Sequence, residues 1–549
     1  MIPGLPPLKV LERRVVGVGG VTTLRLPETG TISASGNKHI VVLANGRTNR
    51  SGYSNDNARF YFNGDTGTNY NFQMLYITGS STAGGWNDTG HTSLYGMPFA
   101  AVNAPSGACG GGSFLLPNAF GDTFKPMLSF GGTHEHLFDM TGGHWASTDA
   151  ITYITAKPDS GTHFLEGSTF TLAVVDEAYL IAGGDQLTGD QAGFTFASLP
   201  EPAGDLGNLS IIASLRGDYS GAAEINNKIE LNGDTTTTNY ERGRLLGLGG
   251  SSAVASADSS NRIGSSPHDA TAGVFGGQLI SISQYDGTTG DSHMLALSGS
   301  QAGSVVWFGS QAWDNTAAIT SVKLLAADGA ANYVDGSMCS IYSNPKQVLD
   351  RKTLTGTTAS VTFALSGLSI PAAVKDLRIN VYGRSSHTAD YDQVDMEFNG
   401  DTTSANYDEE LMYGAGSGAN AYTTAADKYS GSVAAGGNAG AGSFSGCSIL
   451  INDYAGTTFH GQNQVLTGAD GDGQILSMHS QRWENTAAIT SILLTPRNGS
   501  WLAGSIIELE GVGTVDPGWT GTVNGIDNPG KVNGIDVANI EKIMGVESA

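Results

Sequence analysis

The sequence predicts an all-β protein of three tandem jelly-roll-like antiparallel β-sandwich domains, with an N-terminal arm and a short C-terminal helical tail. Two recurring motifs and the composition carry that prediction. Phe62-Asn63-Gly64-Asp65-Thr66, closed by Asn69-Tyr70, returns as Leu231-Asn232-Gly233-Asp234-Thr235 with Asn239-Tyr240 and as Phe398-Asn399-Gly400-Asp401-Thr402 with Asn406-Tyr407. The asparagines stand 169 and 167 residues apart, too far for a solenoid and suited to a domain. Trp145, Trp313 and Trp483, each shortly before an Ile-Thr step, keep the same period at 168 and 170 residues. Two different motifs on one period exclude chance resemblance.

Composition narrows the class. The 549 residues contain 78 glycines and only 14% charged side chains, where soluble domains average roughly 7% and about 25%. The glycines follow no period and interleave with apolar alternation, which argues for many strands and turns over collagen or disorder. A net charge of −24 argues against a nucleic-acid partner, since phosphate neutralisation needs Lys and Arg. Cys109, Cys339 and Cys447 fall at different places in the repeat and read as small buried hydrophobes. Neither an apolar signal segment nor a membrane-length apolar run is visible, so no membrane insertion is expected.

In chain order, residues 1–28 form an arm carrying Lys9, Arg13 and Arg14. It reads either as a docking arm for a partner or as a strand laid on the first domain. The first repeat spans 29–190, the second 191–350 and the third 351–512. In each, the Asn-Gly-Asp turn lies between alternating strands and reads as a hairpin, because Asn and Gly accept the positive φ of tight turns. A second turn follows, near Asn118, Asp286 and Asn452. After each marker Trp the repeat closes on an expected hairpin with a Gly-Ser pair before its last strand. The joints near Leu199-Pro200-Glu201-Pro202 and Ser343-Asn344-Pro345-Lys346 are short, so the domains are expected to form a fixed string. In the tail, 513–549, Asp536 is placed to cap a helix over Val537–Met544, with Val537, Ile540 and Met544 on one docking face.

Candidate chemistry is sparse. His134 and His136 would share a strand face and, with His144, make a weak metal set. Asp65, Asp234 and Asp401, and more weakly Asp470 and Asp472, offer loop oxygens for Ca²⁺, although turn chemistry alone accounts for them. Trp145, Trp313 and Trp483 are weighed as glycan-stacking platforms against a core role. No nucleophile elbow, P-loop, zinc-protease signature or clustered Cys/His set occurs. No catalytic residue and no organic cofactor is expected, and the chain reads as a non-enzyme.

The turn motif, the segment Ala317-Ala318-Ile319-Thr320-Ser321-Val322-Lys323-Leu324 and the tail Lys531-Val532-Asn533-Gly534-Ile535-Asp536 resemble structural proteins of tailed, especially marine, bacteriophage virions. The resemblance implies a tail-fibre, capsid-fibre or decoration component, made in the host cytoplasm and located on the virion. It implies contacts with other virion proteins, a homo-oligomer such as a trimer, and host attachment. The alternative reading is a carbohydrate-binding adhesin contacting a host surface glycan.

Overall fold

The computed structural model describes residues 4–34, 36, 38–78, 83–133, 137–200, 207–219, 224–248, 252–268, 272–285, 287, 290–300, 305–327, 331–344, 348–415, 418–431, 434–440, 442–469 and 475–512, with six residue pairs of the tail. The first repeat runs β1 (Leu8–Val15), β2 (Leu24–Leu26), β3 (Ile40–Gly46), β4 (Asn55–Phe62), β5 (Tyr70–Ile77), β6 (Gly84–His91), β7 (Leu94–Ala100), β8 (Gly110–Leu116), β9 (Lys125–Thr133), β10 (Leu137–Trp145), β11 (Ile154–Pro158) and β12 (Thr169–Val175). These make an eight-stranded antiparallel sheet, β1-β12-β3-β8-β9-β10-β5-β6, and a four-stranded sheet, β2-β11-β4-β7. The other repeats repeat the large-sheet order strand for strand.

Side-chain pattern explains the layers. In β4, Ala58, Phe60 and Phe62 are buried while Arg59 and Tyr61 between them are not, the mark of a strand with one wet face. They meet Ile40, Val42, Phe114, Phe170 and Leu172 of the large sheet in one apolar core. Every residue of β3, β8, β9, β10 and β12 is buried, so the large sheet is covered on both faces.

Two expected hairpins are absent, and the reason lies outside the local sequence. β4 pairs with β7 and β11, whereas β5 pairs with β6 and β10. The Asn63-Gly64 turn is therefore a corner between sheets. Its local chemistry is as expected, with φ of 52° at Asn63 and 71° at Gly64 and Asp65 N–H donating to Phe62 O at 2.9 Å. The closing strands β11 and β12 also lie in different sheets. The second turn is a hairpin, since β8 pairs with β9 and its counterparts do likewise.

The arm is part of the first repeat: β1 pairs with β12 and β2 with β11. Likewise Leu180–Gln186, expected in the first repeat, pairs with Met338–Asn344 of the second. Of the expected helix at Val537–Met544, residues Val537, Ile540 and Met544 lie outside the described residues. Lys542–Ile543 pairs antiparallel with Val546–Glu547 instead.

The largest departure from expectation is the arrangement of the repeats, which close into a ring. The outer faces of the three large sheets share one core, in which Leu43, Leu128 and Phe130 meet Leu279, Leu297 and Phe308, and Leu450, Leu466 and Met478. Three equivalent backbone hydrogen bonds run around it. Phe124 N–H donates to Gly273 O at 3.2 Å, Asp291 N–H to Gly442 O at 3.3 Å and His460 N–H to Gly107 O at 2.8 Å, joining the first repeat to the second, the second to the third and the third to the first.

Three equivalent glycines permit this approach. A Cβ added to Gly132 would lie 2.6 Å from Ser480 Cβ, one on Gly299 2.5 Å from Gly142 Cα, and one on Gly468 2.2 Å from Ser310 Cβ. Here the glycine content has a structural use, since any side chain would force the sheets apart. One contact used three times head to tail makes a closed cyclic assembly within one chain.

Candidate functional site

The two recurring motifs are halves of one cluster. Asp65 Oδ2 accepts from Trp145 Nε1 at 2.7 Å and from Asn69 Nδ2 at 2.9 Å, and Oδ1 accepts from Gly67 N at 2.7 Å. Trp313 donates to Asp234 and Trp483 to Asp401, each at 2.9 Å. Asn63 completes the clamp by accepting from Thr152 N–H and donating to Ala150 O, both at 2.8 Å. The Tyr70 hydroxyl donates to Asp65 O and accepts from Phe62 N–H, both at 3.0 Å.

This geometry assigns the cluster to structure. Trp145, Trp313 and Trp483 are 2%, 1% and 1% exposed, so none presents a ring face to a glycan. The Asp65, Asp234 and Asp401 oxygens are occupied by chain donors, so Ca²⁺ would have to displace them. Asp470 and Asp472 lie outside the described residues. Among the described residues, no group of three or more His, Cys, Asp or Glu could hold a metal ion.

The same hydrogen bonds set an acid response. Burial raises the Asp65 pKa, but donors Trp145, Asn69 and Gly67 outweigh it and hold the carboxylate below its usual range. At Asp234 the donors Asn239 and Trp313 dominate, and at Asp401 Trp483 and Asn406 overcome burial. A carboxylate depressed in the folded state contributes stability above its unfolded pKa of about 4 and loses it as pH falls through the folded value. The triple variant Asp65→Asn, Asp234→Asn, Asp401→Asn is thus expected to be less stable than wild type at pH 7 and to show a smaller fall in urea midpoint below about pH 4. Equal acid slopes would contradict this.

The remaining sequence candidates separate. His134 and His136 lie outside the described residues. His144 sits at the far end of β10, buried, with Nε2 3.0 Å from Asn71 Nδ2 and its ring stacked on Phe124 at 6.1 Å. Burial lowers its pKa to about 4, which makes it a neutral core residue. Arg13 is engaged inside the chain, 2.8 Å from Asp453 and 3.6 Å from Asp376 of the third repeat. Arg14 pairs with Glu28 at 2.8 Å, and Lys9 lies within β1. Ahead of them Leu5 and Leu8 enter the shared core, and Arg378 Nη1 donates to Leu5 O at 2.7 Å. The arm docks on its own chain. The three cysteines are free and buried, and burial raises the Cys109 thiol to about 12.

A site the sequence reading missed lies in the third repeat. Its small sheet has three strands; in place of the β4–β7 ladder of the first repeat there are a two-residue pairing of Tyr391–Asp392 with Ala434–Ala435 and an isolated bridge between Asp395 and Tyr429. Beside this shortened ladder lies a cavity of about 300 Å³, lined by Tyr391, Tyr413, Tyr422, Tyr429, Glu409 and Arg497 among others. Glu409 lies on Tyr407–Ala415, 2% exposed, and neither carboxylate oxygen accepts a hydrogen bond. The nearest ionisable nitrogen is His479 Nδ1 at 3.8 Å, on a ring that burial holds neutral by lowering its pKa to about 3. Burial first, then Asp427 and Asp395 against Arg497, raises the Glu409 pKa well above the usual carboxylate range.

Internal comparison supplies the signal that sequence reading passed over. Counting from the Tyr that closes each turn, Glu409 corresponds to Phe72 and Arg242. Phe72 fills the same place with rings, its centroid 5.0 Å from Trp86 and 5.3 Å from both His91 and Tyr95. Arg242 fills it with a guanidinium 2.5 Å from Asp258 and 5.4 Å from the Trp307 ring centroid. In the third repeat the place holds an acid, Glu409, beside the cavity.

No known protein family matches the chain, and no curated protein does. Among solved structures it has slight likeness to bacterial outer-membrane barrels. The β-domain of the Bordetella autotransporter BrkA is 13% identical at TM-score 0.10, covering 51% of this chain and 98% of that one. OccK9 of Pseudomonas aeruginosa is 10% identical at 0.09, covering 83% and 98%. The NalP translocator domain from Neisseria meningitidis is 8% identical at 0.08, covering 84% and 90%. Likeness this slight carries no structural or functional argument.

Proposed function

We propose that the chain is a non-enzymatic structural protein of a tailed-phage virion, of the fibre or decoration kind, built as a rigid closed body that exposes its sandwich rims. The observation that carries this is the ring: three repeats locked by a common core and the same glycine contact, an arrangement suited to holding shape. The three-fold character expected from a homotrimer is supplied by one chain. Each repeat is read as a jelly roll, because strands one and twelve, two and eleven, three and eight, and four and seven pair as a rolled-up ribbon; β5, β6, β9 and β10 then extend one sheet.

Host attachment falls to the third-repeat cavity in this reading, since the buried tryptophans that suggested a sugar-binding adhesin are unavailable. No helix among the described residues is long and apolar enough to cross a membrane. The tail, 513–549, is the proposed anchor. Deleting it is expected to leave a folded ring that no longer incorporates into particles, measured by protein composition of purified virions. Unchanged incorporation would overturn the anchor, and absence of the full-length protein from particles would overturn the virion reading.

A further inference from the structure

The third-repeat cavity has an unbalanced inventory. Its one guanidinium, Arg497, is already committed, donating from Nε to Asp395 Oδ1 at 2.9 Å and paired with Asp427. Arg497 also covers the Tyr429 ring at 5.4 Å from its centroid, and the Tyr429 ring stands edge-on to His479 at 5.0 Å. With one cation against two acids, the surroundings are negative before Glu409 ionises. A buried carboxyl whose two oxygens accept nothing loses the hydration it would have in water. Its environment can be balanced by a positive charge that enters from outside.

The second repeat shows the balanced version. There the chain places its own cation, Arg242, at the same strand position, against the carboxylate of Asp258 and the ring of Trp307. In the third repeat the cation's own position holds the acid Glu409, with Thr424 in the place of Asp258 and Ser477 in the place of Trp307, and its rings are the tyrosines that line the cavity. Tyr422, 52% exposed, lies opposite Leu411 on the neighbouring strand, at the place of Trp86 in the first repeat. A cavity of about 300 Å³ lies at the small end of ligand sites.

We propose that this cavity binds an organic cation, an ammonium or quaternary ammonium group, with Glu409 as counter-ion and Tyr391, Tyr413, Tyr422 and Tyr429 as its aromatic wall. Aromatic faces attract such cations, and more strongly where water is excluded. A neutral sugar could donate hydroxyls to Glu409 but would leave the charge unbalanced. The inference does not rest on the virion reading, because binding is measured on the isolated full-length chain.

The test is calorimetric titration of that chain with tetramethylammonium, choline and butylammonium, beside glucose and galactose as neutral probes. Saturable binding of at least one ammonium probe is expected, one per chain, weakened at least about tenfold by Glu409→Gln and about fivefold by Tyr422→Ala. The second variant alters a half-exposed side chain and so decides the matter should the first fail to fold. Absence of saturable binding by all three ammonium probes would overturn the proposal. So would ammonium affinity untouched by both substitutions, or binding confined to the neutral sugars.

Discussion

Trp313→Ala is expected to cost about 3–5 kcal/mol of stability, the range for removing a buried Trp side chain. That is a large part of the roughly 5–15 kcal/mol that holds a typical domain folded. Trp313 is 1% exposed and packs in the second-repeat core with Leu231, Tyr240 and Ile319. The indole also ties the corner to the strand before the closing segment through its 2.9 Å hydrogen bond to Asp234. Two causes are thus combined, and Trp313→Phe separates them: it keeps most of the volume, loses the hydrogen bond, and should cost nearer 1 kcal/mol. Asp234 is partly exposed, so water can replace the lost donor and the volume loss dominates. Urea denaturation followed by circular dichroism measures both variants. A Trp313→Ala midpoint within error of wild type would show that the cluster is ornamental.

That cluster also shows what could be read from sequence. Asn63-Gly64 announced a turn because its conformation is local: Asn and Gly tolerate the positive φ that the next two residues build on. Where the chain goes on either side of the turn is decided by partners 34–45 and 92–100 residues away for β4 and 61–75 residues away for β5, which no local pattern records. The shared period of the Asp and Trp motifs was nevertheless a contact in disguise. The ring had a signal too. The run Ile40-Val41-Val42-Leu43-Ala44 does not alternate, as befits a strand buried on both faces, and an isolated sandwich offers only one buried face. Glu409 stayed hidden for a different reason: it is ordinary in its own neighbourhood and becomes conspicuous only beside Phe72 and Arg242. Capping and periodicity alone point to the tail helix, and an eight-residue helix has little stability of its own.

The ring makes its strongest demand on a repeat removed from it. Expressed alone, residues 348–512 would present Met412, Leu450, Leu466, Leu476, Met478 and Val512, all buried in the shared core, to water. At about 1.5–3 kcal/mol for each fully buried side chain, the exposed face forfeits on the order of 10 kcal/mol, comparable with the whole stability of a domain. Such a face is expected to find a partner, and identical copies supply one. Gly468, which meets Ser310 in the intact chain, would meet Ser480 of the next copy, a residue that already seats Gly132. The hydrogen bond from Asp291 to Gly442 would be replaced by His460 donating to the Gly442 carbonyl of its neighbour. Because the contact is head to tail and closes after three steps, the expected species is a trimer with a concentration-dependent melting temperature. Gly468→Leu should prevent closure, since its side chain would enter space where even a Cβ meets the neighbouring strand at 2.2 Å. Sedimentation equilibrium distinguishes the outcomes: a stable, monodisperse monomer of 348–512 would mean that each sandwich is self-sufficient and that the central core contributes little to holding the repeats together.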